Sequence, residues 1–222
     1  YAHNDLNMTA GAGKASGPSY YGAVYGRLVD RGVWWDGEVF YMHTNWSVDR
    51  TVPGVGLATA SPNTDSEGFL LQGSLPIGDT GLRPYARFTY VLSNRGAVSE
   101  NGVGPLGFGI ESDKQSAAVG EIGVLYERTF ATSSGMAFRP AIQLGVQDNA
   151  SDHGQTIAGS LAGLPGTAFD QVGPRLWGVA GVVDGSLKVQ VNKRFELFGD
   201  VNGRFGEHQT DVVASGGAVL RF

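Results

Sequence analysis

The chain contains no cysteine, which removes disulfides and thiolate metal sites and suits an exported bacterial protein. Charged residues are only 17% of the 222 positions, and the formal net charge of −5 leaves no basic footprint for nucleic acid. No run of about 18 apolar residues occurs, so no stretch can be a transmembrane helix. Helical periodicity is nearly absent too. None of these absences excludes a β-barrel, whose lipid face uses alternate residues and gives a weak signal per strand. The sequence begins at Tyr1 without an initiator methionine or signal peptide, and it reads as a processed or truncated chain.

Glycine and alternation are what the sequence has in quantity, with 35 glycines in 222 residues. In the last stretch Ala214, Gly216, Ala218, Leu220 and Phe222 are small or apolar, while Ser215 and Arg221 between them are polar. A period of two marks a strand with one apolar and one polar face. An aromatic final residue tends to fray in a soluble protein. In a transmembrane barrel it belongs to the aromatic girdle where the strand leaves the bilayer.

The same alternation predicts about ten strands, at 1–8, 20–29, 34–48, 66–77, 82–93, 116–129, 136–147, 176–191, 194–205 and 211–222. Most are longer than the usual five or six residues and long enough to cross a bilayer on a tilt. Short turns are expected at Asp30-Arg31-Gly32, Gly78-Asp79-Thr80-Gly81, Ser133-Ser134-Gly135 and Asn192-Lys193. Long loops are expected at Gly11 to Pro18, at the Pro/Gly/Asn-rich stretch 52–65, at 95–115 and at 149–174. Gly206-Glu207-His208-Gln209 is intermediate. Every short turn falls on the side where the chain ends. Sorting of this kind is the outer-membrane pattern of periplasmic turns and extracellular loops.

The faces agree with that reading. Tyr20, Trp35, Tyr90, Phe138, Trp177, Phe195, Phe205 and Phe222 lie near strand ends and read as two girdles. Arg27, Asp36, Glu38, Arg83, Arg87, Glu121, Glu127, Arg139, Asp184, Lys188, Glu196, Asp200, Arg204 and Arg221 fall on the opposite face. A charge near the lipid midplane costs about 2–4 kcal/mol, so this face is expected to line the lumen. There the charges are either a selective lining or salt-bridged filler. Pro84 and Pro140 sit inside predicted strands, both near the start, where a missing ladder donor costs least.

The final strand S-G-G-A-V-L-R-F resembles the C-terminal signal of outer-membrane barrels, carried here by Ser215, Gly217, Leu220 and Phe222. The segments YYGAVYGRLVDRGVWWDGEVFY, LQGSLPIGDTGLRPYARFTYV, GEIGVLYERTF and KRFELFGDVNGRF are similar to successive hairpins of the autotransporter β-domain, the translocator of type V secretion. The loop AGLPGTAFDQVGPRLW resembles that family's long loop before its last three strands. The resemblance covers nearly the whole chain and implies an antiparallel transmembrane β-barrel, with residues 1–222 as one translocator domain. That family's barrel has twelve strands and a pore-threading helix fed by an N-terminal passenger. Tyr1 aligns at about the third strand, so the helix and the first two strands are expected to be missing from this sequence.

The resemblance further implies a Gram-negative outer-membrane anchor, with extracellular long loops and a periplasmic C-terminus, that displays or secretes a passenger. Its expected partners are outer-membrane lipid and lipopolysaccharide, the barrel-assembly machinery and its own passenger, not nucleic acid. A small porin or channel is the alternative. A soluble lipocalin-like barrel is a third reading of the fold, but it would point its apolar residues inward.

No enzyme, metal or cofactor site is expected. His3, His43, His153 and His208 share no metal-ligand spacing. Ser151-Asp152-His153 is the one grouping that could serve an outer-membrane hydrolase, but it reads as ordinary loop polarity, since triads need spatial rather than sequential adjacency. Gly13-Lys14 lacks the following Ser/Thr and helix of a phosphate loop.

Overall fold

The computed structural model describes residues 1–7, 13–133, 135–150, 156–164, 166, 168–172, 178–207 and 210–220. Its strands in chain order are β1 (Ala2–Asn7), β2 (Gly13–Asp30), β3 (Val33–Asn45), β4 (Ser47–Val52), β5 (Gly56–Ala60), β6 (Asn63–Ser74), β7 (Leu82–Arg95) and β8 (Val98–Ser99). They continue as β9 (Phe108–Ile110), β10 (Asp113–Glu127), β11 (Phe130–Ala131), β12 (Ala137–Asn149) and β13 (Thr156–Leu161). The last four are β14 (Phe169–Val172), β15 (Ala180–Gln190), β16 (Phe195–Gly206) and β17 (Thr210–Leu220).

Nine long strands form one meander in the order β17-β16-β15-β12-β10-β7-β6-β3-β2, each pair antiparallel. With β1, which pairs the outer half of β2, they account for the ten expected strands. Among the described residues, β17 lies at one edge of this sheet, and β1 with the Tyr20–Asp30 part of β2 at the other.

Alternation and burial run opposite to a soluble domain. One face of the meander carries Val24, Val39, Leu71, Phe88, Ile122, Leu144, Val146, Val183 and Val201, all exposed; Ile122 is 67% and Leu144 54% exposed. The other face holds the buried residues Tyr85 and Val182, together with Gln72, Arg83, Glu121 and Gln143. An apolar outer face over a polar inner one is the transmembrane-barrel arrangement, not that of a lipocalin-like barrel.

The short connections are tight. Arg31 (φ 49°) and Gly32 (φ 82°) close the β2–β3 hairpin as a two-residue turn that needs positive φ twice. Between β6 and β7 the Thr80 hydroxyl donates to the Ile77 carbonyl at 2.6 Å and accepts from the Leu82 amide at 3.1 Å. Pro84 and Pro140 lie near the starts of β7 and β12. Their carbonyls still accept bonds, from the Leu75 and Arg128 amides.

The expected long loops need correction. Residues 13–18 belong to β2, which begins at Gly13, because β1 pairs with 14–19 on one side and β4 with 13–16 on the other. β4 continues the β3 register across Trp46, since Ser19 pairs with Thr44 and Ser16 with Ser47. The remaining loops contain the β4–β5 hairpin and a separate sheet in the order β14-β13-β9-β8. The Thr59–Asn101 bridge links β5 to that second sheet. Turn-rich composition marked these stretches as breakers, but long-range pairing overrode it. Residues 75–77 and 178–179 lie outside the strands that were expected to include them.

Lipid exposure of the apolar face has a measurable consequence. Leu144→Arg, at mid-strand on that face, is expected to destabilise the full-length protein in bilayers by about 2–4 kcal/mol. A water-exposed surface would shift by only about 0.5 kcal/mol. Urea unfolding from vesicles distinguishes the two.

Candidate functional site

The strand register assembles a polar wall on the buried face. Arg27, Asp36, Gln72, Arg87, Glu121 and Gln147 stand opposite one another in a single row across β2, β3, β6, β7, β10 and β12. Cations and carboxylates are interleaved along the row, so each charge finds a partner without leaving the sheet.

Glu121 is the centre of the network. Its Oε1 accepts from the Tyr85 hydroxyl at 2.5 Å and from Gln143 Nε2 at 3.0 Å. Its Oε2 lies 3.3 Å from Arg87 Nη1. Arg87 also donates through Nε to Gln72 Oε1 at 2.9 Å and through Nη2 to Gln143 Oε1 at 3.3 Å. Tyr85 reaches Glu121 because the next two positions across the ladder on that side are Gly123 and, beyond it, Gly145. A Cβ at either position would stand 2.6 or 2.5 Å from the tyrosine oxygen. The two glycines form the groove in which the phenol lies.

Towards the short turns a second cluster surrounds Trp34. The Arg27 and Arg83 guanidiniums lie 4.9 and 4.6 Å from its ring centroid, within cation–π range. Arg27 pairs with Asp36 at 2.5 Å and Arg83 with Glu127 at 2.8 Å. Arg139 stands 4.0 Å from Glu127. A cavity of about 290 Å³ opens here, lined by Trp34, Pro76, Asp79, Leu82, Arg83 and Glu127 among others. Smaller cross-strand contacts continue the wall, with Glu38 accepting from Tyr21, Asp184 from Asn202, and Asp200 from Ser215 at 2.7 Å.

The register therefore puts every described member of the charged set on one face, including Lys188, Glu196 and Arg204. Arg87, Glu121, Arg83, Glu127, Arg139, Arg27 and Asp36 are drawn into the two clusters. Arg139 and Lys188 are directly opposite each other, a like-charge pair. Of the aromatic set, Tyr20, Trp35, Tyr90, Phe138, Phe195 and Phe205 share the exposed face. Ser215 and Gly217 lie on the charged side of β17, with the Phe198 ring 2.7 Å from a Cβ built on Gly217. Leu220 points to the exposed side. Trp177, Arg221, Phe222, His153, His208 and the Ser151-Asp152-His153 grouping lie outside the described residues.

Tyr85, Gln72, Gln143 and Trp34 were missed by sequence reasoning, which looked only for charges on the polar face. A signal was present: Tyr85 alternates with Arg83 and Arg87, and glycines recur in GEIGVLY and QLGVQ. The His43 Nδ1 lies 2.7 Å from Asp65 Oδ1. No group of three or more potential ligands capable of holding a metal occurs among the described residues.

The sequence profile of the family described as "Autotransporter beta-domain" matches residues 1–202. No curated protein matches the chain. Among solved structures the β domain of the Bordetella autotransporter BrkA is similar, with a TM-score of 0.63 at 16% identity, covering 99% of this chain and 79% of that one. The transport unit of the Escherichia coli autotransporter AIDA-I gives a TM-score of 0.44 at 11% identity, over 99% and 88% of the two chains.

Removing the central acceptor tests the network. Glu121→Ala is expected to cost about 3 kcal/mol, because it leaves Arg87, Tyr85 and Gln143 without their shared partner. Glu121→Gln retains one acceptor oxygen and should cost about 1 kcal/mol. Equal losses for the two, read by urea unfolding from vesicles, would remove the network from any stabilising role.

Proposed function

Since the chain belongs to the autotransporter β-domain family, whose profile matches residues 1–202, we propose that residues 1–222 act as one outer-membrane barrel that passes a passenger to the cell surface and anchors it. Membership in the family is the observation that carries the translocator role, and with it comes the passenger as partner. It does not favour a passive channel. The family's task is transport rather than catalysis, so the carboxylates of the wall act by binding and positioning.

The finer reading rests on physical argument. The charged set lines the lumen, because lipid on that side would desolvate the Arg87–Glu121 and Arg83–Glu127 pairs. An interior of paired charges presents a transiting chain with short-range polarity and little net field. The girdle set, Trp177 and Phe222 included, sits at the two interfaces. The long-loop end is extracellular and meets lipopolysaccharide, and the short turns and the C-terminus are periplasmic. Ser215, Gly217, Leu220 and Phe222 present the closing strand to the barrel-assembly machinery. No nucleic acid, metal or cofactor enters this scheme.

Two experiments test the reading in the full-length protein. An epitope inserted at Gly54 should be accessible to antibody on intact cells and one at Asp79 should not; the opposite pattern would reverse the orientation. Phe222→Ala should lower the heat-modifiable, assembled fraction several-fold at unchanged synthesis. A normal assembled fraction would remove Phe222 from the signal.

A further inference from the structure

The three long loops meet in one stack. Arg50 on β4 holds its guanidinium 4.3 Å from the ring centroid of Phe108 on β9. The Phe169 ring on β14 meets Phe108 edge-on at 5.6 Å between centroids. The stretches 46–62 and 96–112 and the described residues of 150–179 thus contribute one layer each.

Arg50 also grips Glu100 with two prongs, Nε to Oε1 at 2.9 Å and Nη2 to Oε2 at 2.5 Å. Its Nη2 reaches the Leu106 carbonyl at 3.3 Å. Glu100 Oε2 accepts from the Phe108 amide as well, at 2.9 Å, so the carboxylate fixes both the arginine and the backbone beneath it. Planar two-pronged pairing of this kind is among the stronger charged contacts. The Glu100 side chain is only 9% exposed.

Backbone bonds extend the connection in both directions. Thr59 and Asn101 exchange two bonds of 2.9 Å. Glu111 donates to the Ala158 carbonyl at 3.1 Å, Ala162 to Gly107 at 2.9 Å and Gly163 to Pro105 at 3.0 Å. Under the first two loops lie Ala58, Ala60 and Val103, which are buried. Within a molecule that turns most of its apolar residues outward, these loops bury some of theirs.

We propose that Arg50 is a latch residue, holding the three long loops through Glu100 and Phe108 as one cap that opens as a unit and is released by acid. The chemistry of the release lies in Glu100. Arg50's hydrogen bonds hold its carboxyl below the usual carboxylate range; burial pulls the other way, and the Phe108 amide adds to the lowering. A carboxyl depressed by folding contributes stability that is present above its unfolded pKa and lost as pH falls through the folded value. The latch is therefore closed at neutral pH and weakens as the pH falls below the usual carboxylate range. The other charged groups on the packed elements are Asp49, which Lys14 approaches at 3.5 Å, Glu111 just after β9 and Asp170 on β14.

Hydrogen exchange of the full-length protein in outer-membrane fragments tests the cap, since both membrane sides are then accessible and the result is independent of orientation. At neutral pH, Arg50→Ala and Glu100→Gln should lower protection about tenfold or more in all three stretches together, with the membrane strands unchanged. Arg50→Lys should recover part of it, because one charge and one prong remain. The wild type should lose the same protection as the pH is taken from 6 to well below the usual carboxylate range, at pH 2, after correction for intrinsic exchange. Loosening confined to 46–62, or wild-type loops equally protected at pH 2, would overturn the proposal. Should a variant fail to assemble, the wild-type pH series decides alone.

Discussion

In hydrocarbon no water is available to satisfy a backbone N–H or C=O, so every strand must be bonded along its length by its neighbours. The rest of the structure depends on this constraint. It explains why the membrane strands are long and why they follow one another in a meander with few crossovers. It also explains why Pro84 and Pro140 lie near the starts of β7 and β12, where a missing ladder donor costs least. Once register is locked, side chains have no freedom to choose a face; Ile122 and Leu144 are directed to lipid by the same ladder that directs Glu121 and Gln143 away from it. Of the long strands, β17 and the Tyr20–Asp30 part of β2 have, within the described residues, a neighbour on one side alone.

A locked register has a second effect on the polar face. Charges cannot migrate to find partners, so partners must be supplied in the same row or one row away. Arg27 and Asp36 are opposite each other, as are Arg87 and Glu121. Where the partner is a row away, as for Tyr85 and Glu121, the intervening positions must be empty, and Gly123 and Gly145 are. Glycine, elsewhere a weak strand former, is here what allows an aromatic ring to lie flat along the wall.

How much of this was legible in the sequence follows from which interactions are periodic. The membrane strands, their faces and the short turns could be read from alternation and turn chemistry alone, because a one-residue slip would reverse every face. The charged residues of the wall were legible for the same reason. What alternation could not convey was pairing between distant stretches. Gly13 to Pro18 reads as a linker unless β1 and β4 are known to flank it. Arg50, Glu100, Phe108 and Phe169 are unremarkable residues in three glycine-rich loops until the fold brings them together. Neutral members of the wall, Gln72, Gln143 and Tyr85, were hidden because a search for charge passes over amides and phenols.

The uninterrupted register from β3 into β4 makes the first hairpin a ruler. β2 spans 18 residues, or about 60 Å at about 3.3 Å per residue, and a tilt near 45° leaves about 40 Å along the membrane normal. The hydrocarbon core takes about 30 Å of that. About 10 Å of ribbon, paired on both sides at Lys14–Ser16, is left for the headgroup layer at the long-loop end. Anything that reaches the membrane from the long-loop side would meet these loops before the hydrocarbon, and their distance from it is set by strand length rather than by the loops themselves.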